Sequence, residues 1–251
     1  NIYKLLPGNY LQLKENDLKK CLIPQSRIYW SLSESAIYGN NNQLNISQTD
    51  IEKKLEQHLL HSVKKQMISD VPVGAFLSGG IDSSTVVAMM QSQSNNPIKT
   101  FTIGFSEDSY SEAKYAKKIA KHLGTDHTEL YVSSKMSMDI IPKLPTIYDE
   151  PFSDSSQIPT YLVSELAKQQ VKVILSGDGG DELFCGYNRY IMTNKFTNIF
   201  RIMPFFLRKF LSDKLEFIST KNWNRLSNFI PSLDQYPDFG DKMHKVVNVL
   251  K

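Results

Sequence analysis

Apolar residues recur at every fourth position from Ile51 to Met67, which is the spacing of one face of an amphipathic helix. Beyond this helix, short apolar runs alternate with stretches of helical periodicity, and four of the runs predict strands. These runs span Val71–Leu77, Lys99–Phe105, Thr128–Val132 and Val171–Leu175. Strands that alternate with helices, and that lack regular polar positions, are typical of a parallel sheet covered on both faces. The pattern therefore predicts an α/β fold.

The two ends of the chain differ from this middle part. Residues 1–46 are rich in Asn and Ser and have no strong periodicity, so we expect a linker and the tail of a preceding domain. Residues 47–251 hold the alternating strands and helices, and we expect one domain that is truncated at its C-terminal end. A first residue other than Met agrees with the expectation of a fragment.

Composition and charge narrow the class of protein. The 251 residues carry a formal net charge of +3 without a dense Lys/Arg run among aromatic residues, so nucleic-acid binding is not expected. The two cysteines, Cys21 and Cys185, form no CxxC pair, which argues against a disulfide framework and against a zinc site. No apolar run approaches the ~20 residues that cross a bilayer. We therefore predict a cytoplasmic protein without a membrane partner.

Glycine and hydroxyl residues follow the first predicted strand, in the segment FLSGGIDSS from Phe76 to Ser84. Ligands of open parallel sheets bind beyond the carboxyl ends of the strands. Glycines let the backbone approach a ligand, and successive N–H groups at a helix N-terminus attract anions, so we predict a phosphate or pyrophosphate site. Its donors are Ser78, Gly79, Gly80, Ser83 and Ser84. Asp82 would repel phosphates unless a cation lay between, so we assign Asp82 to Mg²⁺.

The fourth predicted strand runs into a second segment of this kind, LSGDGGDELFCGYNRY from Leu175 to Tyr190. Its glycines leave room for a nucleotide close to the backbone, and Asp181 or Glu182 is a candidate second Mg²⁺ ligand. The first segment is not a Walker A loop, because it lacks the lysine of that motif, and the second is not a Rossmann fingerprint, because Glu182 stands where that motif needs glycine. A loop that holds pyrophosphate without this lysine suits cleavage between the α- and β-phosphates of a nucleotide.

Taken together, the two segments resemble the asparagine synthase family of N-type ATP pyrophosphatases. SGGIDSS is similar to the pyrophosphate loop of that superfamily, and LSGDGGDELFCGYNRY is similar to the second motif of the family. YDEPFSDSSQIPTYLVSELAKQQVKVILSG and LLPGNYL are similar as well, so the resemblance covers most of residues 1–190. It implies a five-stranded parallel sheet flanked by helices, of the adenine-nucleotide alpha hydrolase type.

The resemblance also implies a reaction. ATP adenylates the side-chain carboxylate of aspartate and releases pyrophosphate, and ammonia then converts β-aspartyl-AMP into asparagine and AMP. ATP and Mg²⁺ are required, and in complete members of the family a glutaminase domain supplies the ammonia from glutamine. Residues 1–46 would then be the tail of that missing N-terminal domain, and the synthetase domain would be 47–251. The expected partners include a second copy of the same protein in a homodimer.

Motif positions carry the roles of individual residues over to this chain. The resemblance makes nucleotide ligands of Leu77, Ile103, Ser176 and Gly177, beside the pyrophosphate loop itself. It places Asp181 with Asp82 on Mg²⁺. The catalytic candidate is Asp178, which occupies the position of a glutamate that known synthetases use to form or consume the intermediate, and which is one methylene shorter. The catalytic lysine of the family would lie beyond residue 251, so we expect this fragment to bind nucleotide and to be inactive alone.

Two other functions stay open. A family amidotransferase that acts on another carboxylate, such as a surface-sugar uronic acid or a β-lactam precursor, is an alternative because the acid-recognising residues lie outside the matched motifs. A non-catalytic ATP-binding regulatory module is an alternative of another class, although a sensor needs no pair of Mg²⁺ carboxylates.

The polar loop from Asp149 to Ser156 has two interpretations of equal weight, a wall of the amino-acid pocket or a simple cap on the following helix.

Overall fold

The computed structural model describes residues 3–105, 112–187, 190, 203–227 and 239–250. The chain divides into two compact units, Asn1–Ser62 and Val63–Lys251. The predicted boundary after residue 46 stays a prediction. Across the described ranges, every helix is too short or too polar to span a lipid bilayer.

The first unit is built from short elements. Strands β1 (Asn9–Tyr10) and β2 (Arg27–Ile28) pair in antiparallel orientation. The helices are α1 (Glu15–Lys19), α2 (Leu32–Asn41) and α3 (Gln48–Gln66), of which α3 continues into the second unit. The periodicity from residue 51 onwards thus predicted α3 correctly.

The second unit contains the parallel sheet. Its strands are β3 (Val73–Phe76), β4 (Lys99–Phe105), β5 (Asp126–Val132) and β6 (Val173–Leu175), in the order β5-β4-β3-β6. All four predicted strands are present, and the prediction of a parallel sheet flanked by helices is confirmed. The expectation of five strands is wrong for the described residues. After β6 the described residues form helices and loops, and none of them pairs with the free edge of β6.

Helices connect and follow the strands. They are α4 (Ile81–Ser92), α5 (Ala113–Leu123), α6 (Ser134–Ile140), α7 (Leu144–Ile147), α8 (Gln157–Ala167), α9 (Gly180–Phe184), α10 (Phe205–Glu216), α11 (Thr220–Ser227) and α12 (Phe239–Leu250), with a 3-10 turn at Ile141–Lys143. Gly124 ends α5 in the left-handed conformation, with φ at 72°. This conformation suits glycine and stops the helix before β5.

Successive residues of each strand face opposite sides of the sheet, and both sides are buried. Ala75 and Leu77 belong to one apolar cluster, together with Val87 of α4 and Ala116 of α5. Side chains on the other face, among them Phe101, pack against Val163 and Ala167 of α8. The sheet is therefore the middle layer between α4 and α5 on one side and α8 on the other.

The strand order fixes where a ligand can bind. From β3 the chain passes to β4 and then to β5, and it returns to the opposite side of β3 to form β6. At such a reversal the two loops that leave the central strands diverge and open a crevice at the carboxyl ends of the strands. The two glycine-acid segments leave β3 and β6, so they form the two sides of this crevice.

Candidate functional site

The loop after β3 turns sharply between the sheet and α4. Leu77 is buried, and its N–H donates to the carbonyl of Phe101 at 3.0 Å. Gly79 has a φ of 88°, and a Cβ there would lie 2.9 Å from the backbone nitrogen of Ala116. Both the conformation and the close approach to α5 therefore require glycine at this position.

Hydroxyl groups hold this loop in shape. The Ser78 N–H donates to Ser83 Oγ at 3.2 Å, and the two serine hydroxyls lie 3.0 Å apart. The Gly80 N–H donates to Ser78 Oγ at 3.2 Å, while the Ser84 hydroxyl donates to the Gly80 carbonyl at 2.6 Å. The loop is thus ordered by its own polar groups before any ligand binds.

The loop after β6 is ordered in a similar way. The Ser176 hydroxyl donates to Asp178 Oδ2 at 2.9 Å, which fixes the orientation of this carboxylate. Gly179 has a φ of 91° and precedes α9, whose first turn contains Asp181 and Glu182. The Tyr187 hydroxyl donates to Glu182 Oε1 at 2.6 Å. Glu182 is therefore engaged by a neighbour in the same segment.

The two loops lie directly against each other. A Cβ on Gly177 would come within 2.6 Å of the backbone nitrogen of Ser83. A Cβ on Gly180 would come within 2.5 Å of Asp82 Oδ2. The second loop can therefore pack onto the start of α4 only because glycine stands at these positions.

Both loops line one cavity of about 940 Å³. Six carboxylates contribute to its lining, from Asp82, Glu112, Asp154, Asp178, Asp181 and Glu182. No lysine or arginine lines it among the residues that the structure describes. An anionic ligand would be repelled from such a cavity unless cations accompanied it.

The predicted site residues fall into three groups. Eight of them line the large cavity: Ser78, Gly80, Asp82, Ser83, Ser176, Gly177, Asp178 and Asp181. Leu77 and Ile103 line an adjoining apolar cavity of about 280 Å³. Gly79 and Ser84 line neither, and lie on the side of the loop that faces α5. The structure thus brings most of the predicted residues to one place, and the roles assigned to them stay predictions.

The polar loop before α8 also reaches the large cavity, where Asp154 and Ser156 line it. Asp154 Oδ1 accepts hydrogen bonds from the N–H and from the hydroxyl of Ser156, each at 2.8 Å. These two bonds hold the pKa of Asp154 below its ordinary value, and the bond from the backbone N–H has the larger effect. The carboxylate therefore stays charged at neutral pH.

Glu112 and Thr160 line the cavity, but the sequence motifs did not reveal them. Glu112 precedes α5 and Thr160 lies in the first turn of α8. The available signal for Glu112 was its place in the sequence between the second predicted strand and the helix that follows it, where a ligand of a parallel sheet can bind.

The donor set suits Mg²⁺. This ion is bound by one or two carboxylates together with phosphate oxygens and water, so it needs no cage of protein ligands. Asp82 and Asp181 face the same cavity and supply oxygen ligands of this kind. The described residues contain no group of three His, Cys, Asp or Glu side chains placed to hold a metal by themselves. Asp82 and Asp181 are therefore the residues of the cavity that would hold a magnesium ion together with phosphate oxygens.

The chain was compared with protein families and with curated proteins. The model of the family described as asparagine synthase matches residues 54–245. The chain is 44% identical to a putative glutamine-hydrolysing asparagine synthetase 2 of Methanocaldococcus jannaschii over 182 residues, which is 72% of this chain and 33% of that protein. It is 40% identical to glutamine-hydrolysing asparagine synthetase 1 of Bacillus subtilis over 152 residues, which is 61% of this chain and 24% of that protein. The matches thus span a third or less of each relative.

Among solved structures, an NH3-dependent NAD synthetase from Campylobacter jejuni is similar to this chain with a TM-score of 0.40 and 15% identity. The match covers 54% of this chain and 60% of that protein.

Proposed function

Because the chain belongs to the asparagine synthase family, we propose that it carries the synthetase step of an ATP-dependent amidation, with aspartate as the acceptor and asparagine as the product. The observation that carries this proposal is the contact between the two glycine-acid loops, Gly177 against Ser83 and Gly180 against Asp82. This contact joins a phosphate-binding type of loop to a carboxylate-rich loop around one cavity.

The proposed reaction has two steps. An oxygen of the acceptor carboxylate attacks the α-phosphorus of ATP, and the bond to the β-phosphate breaks to release pyrophosphate. Ammonia then attacks the carbonyl carbon of the acyl-adenylate, which loses AMP and a proton to give the amide. The first step is needed because a free carboxylate is a poor electrophile. Holding ATP and the acid in line lowers the barrier to this step.

The loop from Ser78 to Ser84 is assigned to the pyrophosphate. The N–H groups at the N-terminus of α4, which follows Gly80, stabilise negative charge on the leaving phosphates. Because the loop is already ordered by its own hydrogen bonds, little reorganisation is needed when the transition state forms. The apolar cavity beside Leu77 and Ile103 is assigned to the adenine ring.

Asp82 and Asp181 are assigned to Mg²⁺, which when bound neutralises phosphate charge and polarises the phosphoryl oxygens. Asp178 is the catalytic candidate, positioned by the hydrogen bond from the Ser176 hydroxyl. Its carboxylate would hold the incoming ammonia, or accept a proton from it, beside the acyl-adenylate. The source of ammonia is glutamine, hydrolysed by a domain outside this chain.

The experiment that tests this proposal is pyrophosphate–ATP exchange in the full-length protein that contains this chain. Exchange is measured with aspartate, without an acceptor, and with uronic acids or β-lactam precursors in its place. We expect exchange that requires aspartate and is lost in Asp82→Ala. Asp126→Ala serves as a matched control, because Asp126 is an exposed carboxylate at the opposite edge of the sheet.

The other outcomes separate the alternatives. Exchange that requires a different carboxylate would replace aspartate as the acceptor and retain the reaction. ATP binding without exchange under any acceptor would favour the regulatory module. An absence of ATP binding would overturn the proposed function.

A further inference from the structure

Two cavities at the carboxyl edge of the sheet share part of their lining. The smaller is apolar, about 280 Å³, and lies beside Phe101, Ile103 and Val163. The larger contains both glycine-acid loops. The residues common to both are Phe76, Ser78, Glu112 and Thr160. These four residues therefore mark the passage from one cavity to the other.

The following inference rests on the proposed function, under which the passage would hold the sugar of the nucleotide. If the purine occupies the apolar cavity and the phosphates lie at the loop of the larger one, the sugar between them must occupy the passage. A ribose presents two neighbouring hydroxyl groups there. Buried or half-enclosed hydroxyl donors need acceptors, because an unpaired donor loses its hydrogen bond to water.

We propose that Glu112 binds the ribose hydroxyls of the nucleotide and so makes the site select ribonucleotides over 2′-deoxyribonucleotides. Its carboxylate has no ion pair or hydrogen bond with another described side chain, so both oxygens are free to accept. A carboxylate accepts through both oxygens at once, which suits two adjacent hydroxyl donors. Acidic side chains bind ribose hydroxyls in this manner in dinucleotide-binding folds.

The other three shared residues are poorer candidates. Phe76 has no polar side-chain atom. The Ser78 hydroxyl accepts from the Gly80 N–H at 3.2 Å and lies 3.0 Å from Ser83 Oγ, so it is engaged within the loop. Thr160 offers a single hydroxyl, which can meet only one of the two ribose groups at a time.

The backbone at Glu112 is fixed beside the passage, while its side chain is exposed and makes no capping hydrogen bond. Its carbonyl accepts from the N–H groups of Tyr115 at 2.9 Å and Ala116 at 3.1 Å, so Glu112 is fixed at the N-terminus of the 11-residue helix α5. The positive end of the helix dipole favours a charged carboxylate at this position. The helix thus anchors the backbone of Glu112 at the passage and leaves its carboxylate free to turn towards a ligand.

The test compares the affinities for ATP and 2′-deoxy-ATP, measured by calorimetry with Mg²⁺ in excess. The proteins are the unaltered chain, Glu112→Ala, Glu112→Gln, and Glu56→Ala as a control on the exposed surface of α3. We expect the unaltered chain to prefer ATP by about tenfold, the size of one hydrogen bond from the 2′-hydroxyl to a charged acceptor. Glu112→Ala should weaken ATP binding and remove the preference, and Glu56→Ala should retain it.

The ratio of the two affinities is the readout, because removal of a negative charge alone would strengthen the binding of both nucleotides alike. Glu112→Gln keeps the shape of the side chain and one acceptor oxygen, so a smaller preference is expected and a folding defect is avoided. An unchanged ratio in both Glu112 variants, or no preference in the unaltered chain, would overturn the inference while the proposed function stands. Failure to bind either nucleotide would overturn both.

Discussion

The two edges of the parallel sheet use their polar side chains in different ways. At the amino edge, Lys99 Nζ lies 2.7 Å from Asp126 Oδ2 and donates to Gln170 Oε1 at 2.9 Å. Gln170 in turn donates to Thr128 Oγ1 at 3.1 Å. At the carboxyl edge, six carboxylates line one cavity that has no lysine or arginine among its described lining residues.

This difference separates a structural edge from a binding edge. Charges that pair with each other contribute modestly to stability and leave nothing for a ligand. Like charges gathered around a cavity repel one another, and this repulsion is relieved only by a cation or a proton. The carboxyl edge is therefore the part of the sheet whose charges are available to a ligand. Substitutions at the carboxyl edge should therefore change nucleotide binding and exchange, and substitutions at the amino edge should change stability.

The largest effect is expected for Asp82→Ala. Removing an Mg²⁺ ligand should lower pyrophosphate–ATP exchange by about a hundredfold or more. The free energy of unfolding should stay the same or rise slightly, because the substitution removes one of the six carboxylates that line the cavity. Exchange rates and urea unfolding measure the two quantities. A loss of stability with normal exchange would reverse the roles given to the two edges.

Gly177→Ala should damage both stability and binding. Its Cβ would meet the backbone of Ser83 at 2.6 Å, and backbone atoms at the start of α4 cannot move aside without shifting the loop. We expect a loss of about 1–3 kcal/mol in the free energy of unfolding and weaker ATP binding.

The matched control for this change is Gly39→Ala, within the exposed helix α2, where a new Cβ would meet no atom within 4 Å. It should stabilise the chain by about 0.5–1 kcal/mol. Equal effects of the two substitutions on thermal unfolding would argue against the contact between the loops.

A pH effect is expected at the amino edge. Thr100 Oγ1 lies 2.9 Å from His127 Nδ1, while His127 Nε2 is buried without a partner among the described residues. Burial lowers the pKa of His127 below its ordinary value of 6.5, Lys117 lowers it further, and Glu129 opposes the shift. The unfolded chain therefore takes up a proton at higher pH than the folded chain does. The contribution to stability is present above the unfolded pKa and is lost as the pH falls towards the folded value.

The measurement is urea unfolding of the unaltered chain and of His127→Gln at about pH 7.5 and about pH 5. The loss of stability on acidification should be smaller in the variant, since glutamine does not titrate. An identical loss in both proteins would mean that other groups, such as carboxylates, account for the whole pH dependence.

The smallest effect is expected for Lys99→Met. The ion pair with Asp126 is partly exposed, so its loss should change the free energy of unfolding by less than about 1 kcal/mol. The difference from the unaltered chain should shrink further at high salt, where exposed charges are screened. Pyrophosphate–ATP exchange should be unchanged. A large loss of exchange would show that the amino edge is coupled to the site.

Much of the fold was predictable because its signals are local. Each apolar run that predicted a strand forms one, since burial on both faces requires continuous apolar sequence. The loops at Gly79 and Gly179 carry positive φ values, which the glycines in the sequence signal directly. The resemblance to the asparagine synthase family, carried by these same segments, is confirmed by the match to its family model.

The sequence by itself determined the strands, the two loops and the chemistry of their side chains, because each depends on residues that are neighbours in the chain. Only the tertiary structure decided that Gly177 lies against Ser83, and that Glu112 stands at the passage between two cavities. It also decided that the charges of the amino edge pair with one another while those of the carboxyl edge face a cavity. These relations follow from the order of strands in the sheet, and no local pattern encodes which strands become neighbours.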